Sequence, residues 1–92
     1  MQNEHAQTIA YQALAWLVAD DELCPVFLGS TGGSADDLRE KATDPAFLAA
    51  VLEFITMDDK WVIAFCDSIG LAYDQPLRAR YALPGAGEVH WT

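Results

Sequence analysis

Two apolar stripes run through this sequence, each with the spacing of a helix that buries one face. In the first stripe, apolar residues recur at i, i+1, i+4, i+5 and i+8 from Ile9 to Leu17, and the second repeats this spacing 38 residues later, from Phe47 to Ile55. No segment alternates apolar and polar residues with the period of two that a half-buried strand requires. Because each stripe must be covered by other helices, we predict an all-α fold.

The two halves of the chain are similar beyond the stripes. An overlay at an offset of 38 residues gives seven identities, where average residue frequencies would give about two over about thirty aligned positions. Such self-similarity is typical of a structural duplication. We therefore predict a compact bundle of about six short helices, built as two three-helix repeats at 5–43 and 44–83. The identical pairs are Leu14/Leu52, Asp20/Asp58, Asp21/Asp59, Phe27/Phe65, Ser30/Ser68, Gly32/Gly70 and Asp36/Asp74.

Proline and glycine positions predict where these helices begin and end. Pro45 follows Asp44 as the first residue of a helix should, and Pro76 has the same place in the last helix. Gly70, followed by Leu71, is a predicted helix stop of the Schellman type. The third helices of the two repeats carry Leu38 and Leu77 at matching positions, and the single helical domain extends over 1–84.

The segment 30–40, STGGSADDLRE, has the glycine-rich form of a phosphate-binding loop. A bound phosphate, however, would meet Asp36 and Asp37, and no Lys or Arg precedes them. The same two acids would face DNA if the segment were a helix-turn-helix. We interpret the segment as a corner between two helices, with Ser34 capping the second.

The charge balance excludes several classes of function. Fourteen acidic residues against five basic ones give a net charge of −9, which repels nucleic acid and anionic membranes and favours a basic partner. No apolar run reaches the length of a membrane span, and the first residues lack the basic start of a secretory signal. We expect a cytoplasmic protein with reduced cysteines that binds neither nucleic acid nor membrane.

Many of the acids have a structural explanation. Eight of the fourteen lie at or near predicted helix starts, where a carboxylate caps the helix or interacts favourably with its dipole. Adjacent carboxylates at a helix start do not face each other across a cleft, as acid–base catalysis requires. Contact with a metal or with a basic partner stays open as the alternative. The eight are Asp20, Asp21, Asp36, Asp37, Asp44, Asp58, Asp59 and Asp74.

The cysteines and histidines do not form a recognisable site. His5 and His90 lie at opposite ends of the chain, and Cys24 and Cys66 have no Cys or His neighbour in the sequence. Metal sites need clustered ligands, and a Cys nucleophile needs a base beside it. We interpret both cysteines as core residues and predict no catalytic residue, no metal and no cofactor.

The C-terminal tail, 85–92, ends in the unexpected sequence Val-His-Trp-Thr. A solvated tail seldom needs a tryptophan, so we expect Trp91 to fold back between helices or to contact a partner, with a tail that does neither as the third alternative. We take Trp91, His90, Tyr73 and Tyr11 as the candidate partner-contact residues.

The segments FLGSTG, DDLREKATDPAFLAAVLEFI and the ending EVHWT resemble a family of short bacterial proteins, about ninety residues long, that are classed as a domain of unknown function. The resemblance covers nearly the whole chain. It implies the length and the helical fold, and it brings no activity, cofactor or site residue.

Taken together, the residues favour a small acidic module that acts by binding another protein and has no catalytic activity. Aromatic side chains inside a charged rim are typical of protein–protein hot spots, and an acidic surface speeds encounter with a basic partner. The alternative is a small-molecule or lipid-binding bundle, with an apolar cavity between the repeats. We expect a monomer or a weak homodimer.

Overall fold

The computed structural model describes residues 1–31 and 35–83, apart from the side chains of Thr31, Ala35, Asp37 and Arg39. These parts of the chain are helical and contain no strand, so the predicted all-α class is confirmed. None of the helices in them is long and apolar enough to cross a membrane. In chain order the helices are α1 (Asn3–Ala19), α2 (Leu23–Thr31), α3 (Ala35–Glu40), α4 (Pro45–Thr56), α5 (Asp59–Ile69) and α6 (Gln75–Ala82).

The two predicted stripes form the centre of the core. Ile9 and Leu17 on α1 are fully buried, as are Leu52 and Ile55 on α4. These helices pack on each other, and α6 packs on both. Each fully buried Leu or Ile contributes roughly 1.5–3 kcal/mol of hydrophobic free energy relative to an exposed position. The pairing of the stripes therefore supplies much of the fold's stability, while α2 packs on α1 and α5 on α4.

The predicted helix ends around α4 and α5 are confirmed. The Asp44 carboxylate accepts a hydrogen bond from the Ala46 amide at 3.0 Å, and Pro45 is the first helical residue. Gly70 ends α5 in the left-handed conformation, with φ of 70°. The amide of Leu71 then donates to the Cys66 carbonyl at 2.9 Å, which is the bond that defines a Schellman motif.

Two details of α6 differ from the sequence pattern, although Asp74 does lie at its N-cap position as predicted. Leu77 does not match the buried Leu38, since 43% of it is exposed, and α6 instead turns Pro76 and Ala79 toward the core. Asp74 makes no side-chain cap bond to α6. Its carboxylate pairs with the Arg78 guanidinium at 3.1 Å, one turn along the helix. The face of α6 that meets α1 and α4 depends on how the chain enters α6 from α5, and a local sequence pattern does not contain that information.

Candidate functional site

An apolar cleft lies between α2 on one side and α4 and α5 on the other. Its volume is about 430 Å³. The two walls come from different halves of the chain, since α2 belongs to the first half and α4 and α5 to the second. In the fold, α2 packs on α1 and α5 packs on α4. The lining residues are Val26, Phe27 and Ser30 from α2, Ala50, Glu53, Phe54 and Met57 from α4 and its C-terminal end, and Trp61 from α5.

Aromatic rings form the inner wall of this cleft. Phe54 stacks on Trp61 with ring centroids 4.8 Å apart and an interplanar angle of 20°. Phe27 meets Phe54 edge to face at 5.2 Å. Phe27 and Phe54 are buried and Trp61 is half-buried, so the stack is fixed by the core beneath it. Packed rings of this kind give a binding surface that loses little side-chain entropy when it is covered.

The rim of the cleft is apolar and open to solvent. Met57 is 73% exposed and Val26 is 51% exposed, and they stand on opposite walls. A methionine side chain is flexible and polarizable, so it adapts to the shape of a bound surface. The cleft therefore has fixed aromatic rings inside and an adaptable aliphatic rim.

Among the described lining residues, Ser30 carries a hydroxyl and Glu53 a carboxylate. The Ser30 hydroxyl already donates to the Phe27 carbonyl at 2.9 Å. Glu53 is exposed, and within the described ranges its carboxylate has no ion pair, since the salt bridge found there joins Arg78 to Asp74. One carboxylate and one hydroxyl are too few ligands to hold a metal. Across residues 1–31 and 35–83 as a whole, no group of three or more His, Cys, Asp or Glu side chains could hold one.

Two of the predicted contact residues, Tyr11 and Tyr73, are not among the residues that line this cleft. Tyr11 is exposed on α1. Tyr73 is exposed between α5 and α6, where its hydroxyl donates to the Asp67 carboxylate at 2.7 Å. Trp91 and His90 fall outside the described residues, as does the tail they belong to. Gly32, Gly33 and Ser34 of the predicted corner also fall outside the described residues.

The cysteines have the surroundings of core residues. Cys66 is fully buried and its Sγ lies 3.6 Å from the Ala72 carbonyl oxygen. Burial raises the pKa of the Cys66 thiol above its ordinary 9.0, and the nearby charges of Asp67 and Asp74 raise it further. A thiol held in its protonated form is a poor nucleophile. Cys24 is half-buried in α2 and packs against the core.

The sequence suggested an apolar cavity between the repeats as the alternative, but its lining residues were not identified, although one of them gave a signal. Phe54 lies off the main apolar stripe of α4, and a large apolar residue there marks a second covered face on the helix. Trp16, its partner in the 38-residue overlay, contacts Phe65 edge to face at 5.9 Å instead. The sequence does not reveal how α2 lies against α4, because their relative placement depends on how both helices pack on their neighbours.

Comparison with known proteins places the chain in a family. A family model described as "Protein of unknown function (DUF3572)" matches residues 3–86 of the 92. No curated protein and no solved structure matches the chain. The match spans α1 to α6, and it includes the residues that line the cleft. The chain therefore belongs to DUF3572, a family of proteins of unknown function.

Proposed function

We propose that this protein is an interaction module without catalytic activity, and that its cleft binds the apolar face of an amphipathic helix from a basic partner protein. The observation that carries the proposal is the exposure of Met57 and Val26 beside the stacked rings of Phe54 and Trp61. Exposed apolar surface that is continuous with an aromatic wall is typical of a binding site rather than of a free surface.

The shape of the cleft suits a helix better than an extended peptide. Its walls are helices, and a peptide that binds by adding a strand needs the free backbone groups of a sheet edge, which the described residues do not offer. A helix instead presents side chains at i, i+3, i+4 and i+7 and needs only an apolar groove.

Charge indicates the kind of helix. The chain carries −9 overall, and the charged residue among those lining the cleft is the acid Glu53. A partner helix with basic residues beside its apolar face would be attracted at long range and matched at contact. An acidic helix would be repelled at both stages.

Repeated contacts support the proposal that the module is a duplication of three helices. Ser30 donates to the Phe27 carbonyl at 2.9 Å, and Ser68 donates to the Phe65 carbonyl at 2.6 Å, 38 residues later. Asp20 and Asp58 each accept an amide hydrogen bond at the start of the next helix, at 2.9 Å. On this view the cleft lies between the repeats. We place the protein in the cytoplasm, in keeping with its free cysteines.

The test is selection from a displayed library of single-helix peptides, followed by titration of the enriched peptides into the protein. We expect peptides with apolar residues at helical spacing that perturb NMR signals of α2, α4 and α5. Met57→Ser should weaken their binding about tenfold, the effect of removing somewhat over 1 kcal/mol of apolar contact. Leu77→Ser, which also replaces an exposed apolar side chain, should leave binding unchanged because Leu77 lies outside the cleft.

Two results would overturn the proposal. Enriched peptides that bind Met57→Ser as tightly as the wild type would show that the cleft is not the site. An absence of any enriched peptide, together with Met57-dependent binding of a fluorescent fatty acid, would establish the alternative. The cleft would then serve a small molecule or lipid, and its volume lies within the usual range of such sites.

A further inference from the structure

Glu53 is unlike the other residues of the cleft, which are apolar except for Ser30. It lies on α4, three residues after Ala50 and four before Met57, so these three side chains share one face of the helix. Its carboxylate therefore stands beside the apolar rim and within reach of whatever the cleft binds.

The structure gives this carboxylate no role in stabilising its own helix. Asp44 and Asp58 cap helix starts, where backbone amides are free to donate to them. Glu53 lies in the last turn of α4, where the free carbonyl groups make the helix end negative and an acid is unfavourable. No basic residue belongs to that turn, although the Arg80 guanidinium of α6 donates to the Thr56 hydroxyl there at 3.5 Å. No ion pair reaches Glu53 from the described residues.

We propose that Glu53 is the specificity-determining residue of the cleft, and that it pairs with a Lys or Arg placed beside the apolar face of the bound helix. This inference rests on the proposed function. A basic side chain from the partner would offset the repulsion between the carboxylate and the end of α4. It would also form a charge-assisted hydrogen bond that the free protein lacks in its described part. The same carboxylate would reject helices with an acid at that position, which is how charge discriminates among similar partners.

The test repeats the peptide selection on three targets: wild type, Glu53→Lys and Glu40→Lys. The last variant is the matched control, because Glu40 is exposed at the end of α3 and lies outside the cleft. We expect basic residues beside the apolar positions with wild type and with Glu40→Lys, and acidic residues there with Glu53→Lys. A wild-type-selected peptide should lose about fivefold in affinity for Glu53→Gln, and the loss should shrink as salt rises.

The outcomes separate the two proposals. If the three targets select apolar helices with the same charges, Glu53 does not determine specificity and the proposed function stands. If no target enriches a peptide, both proposals are overturned. The thermal midpoint of Glu53→Gln supplies an independent check. It should equal or exceed that of the wild type, and a clear fall would assign Glu53 a structural role instead.

Discussion

Replacing Gly70 and Gly29 separately by alanine should shift stability in opposite directions. At both sites an added methyl group would meet no described atom within 4 Å, so steric clashes do not enter the comparison. Gly70 has φ of 70°, whereas Gly29 lies within α2 and is exposed. The two substitutions therefore differ only in the backbone conformation that alanine must adopt.

The expected magnitudes follow from that difference. Alanine in the left-handed conformation costs roughly 1–2 kcal/mol, and the smaller entropy of its unfolded chain returns about half of that. Gly70→Ala should thus lower the free energy of unfolding by about 0.5–1 kcal/mol. Alanine is better than glycine within a helix by about 0.8–1.0 kcal/mol, so Gly29→Ala should raise it by nearly the same amount.

Urea unfolding followed by far-ultraviolet circular dichroism measures both changes. With a slope of about 1–2 kcal/mol per M, the midpoints should move apart by about 1–2 M in total. If Gly70→Ala left the free energy of unfolding unchanged, α5 would not end in a left-handed residue. A destabilising Gly29→Ala would show that its position is not helical. Shifts of both midpoints in the same direction would refute the reasoning.

Two further predictions concern the carboxylates and the thiols. Asp58→Ala should lower the free energy of unfolding by about 1 kcal/mol, because it removes the hydrogen bond from the Lys60 amide. Asp59→Ala should lower it by less, and the urea midpoints of the two variants check this. The pKa of Cys66 is raised above 9.0 in the folded state, so folding favours the protonated thiol. The contribution of Cys66 to the free energy of unfolding should therefore be constant below pH 9.0 and fall at higher pH. If the free energy of unfolding depends on pH in the same way in the wild type and in Cys66→Ala, this reasoning is contradicted. A disulfide reagent should also label the half-buried Cys24 before the buried Cys66.

Much of the local structure could be predicted because it depends on neighbours in the chain. The stripe from Ile9 to Leu17 forms one buried face whatever covers it, since its spacing matches the helical repeat. Asp44 caps α4, and Gly70 ends α5, through bonds within a few residues. Capping and stop signals of this kind are readable from sequence because the atoms involved are adjacent.

The candidate site could not be predicted in the same way. Val26, Met57 and Trp61 come from different helices, and no spacing in the sequence relates them. Aromatic residues outside the apolar stripes, such as Tyr73, are the partner-contact candidates that the sequence suggests. Residues that line a cleft while touching the core, such as Phe54, cannot be distinguished from core residues by their type or position.

Periodicity and short-range hydrogen bonds depend on neighbouring residues, so the residue pattern was sufficient to predict the all-α class, the buried faces of α1 and α4 and the capped start of α4. Three features needed the packed structure: the groove left where α2 lies against α4, the exposure of Leu77, and the position of Glu53 beside that groove. Those outcomes depend on which helices meet and at what distance. Packing distances arise from the combined shapes of side chains far apart in the chain, so no local segment contains them.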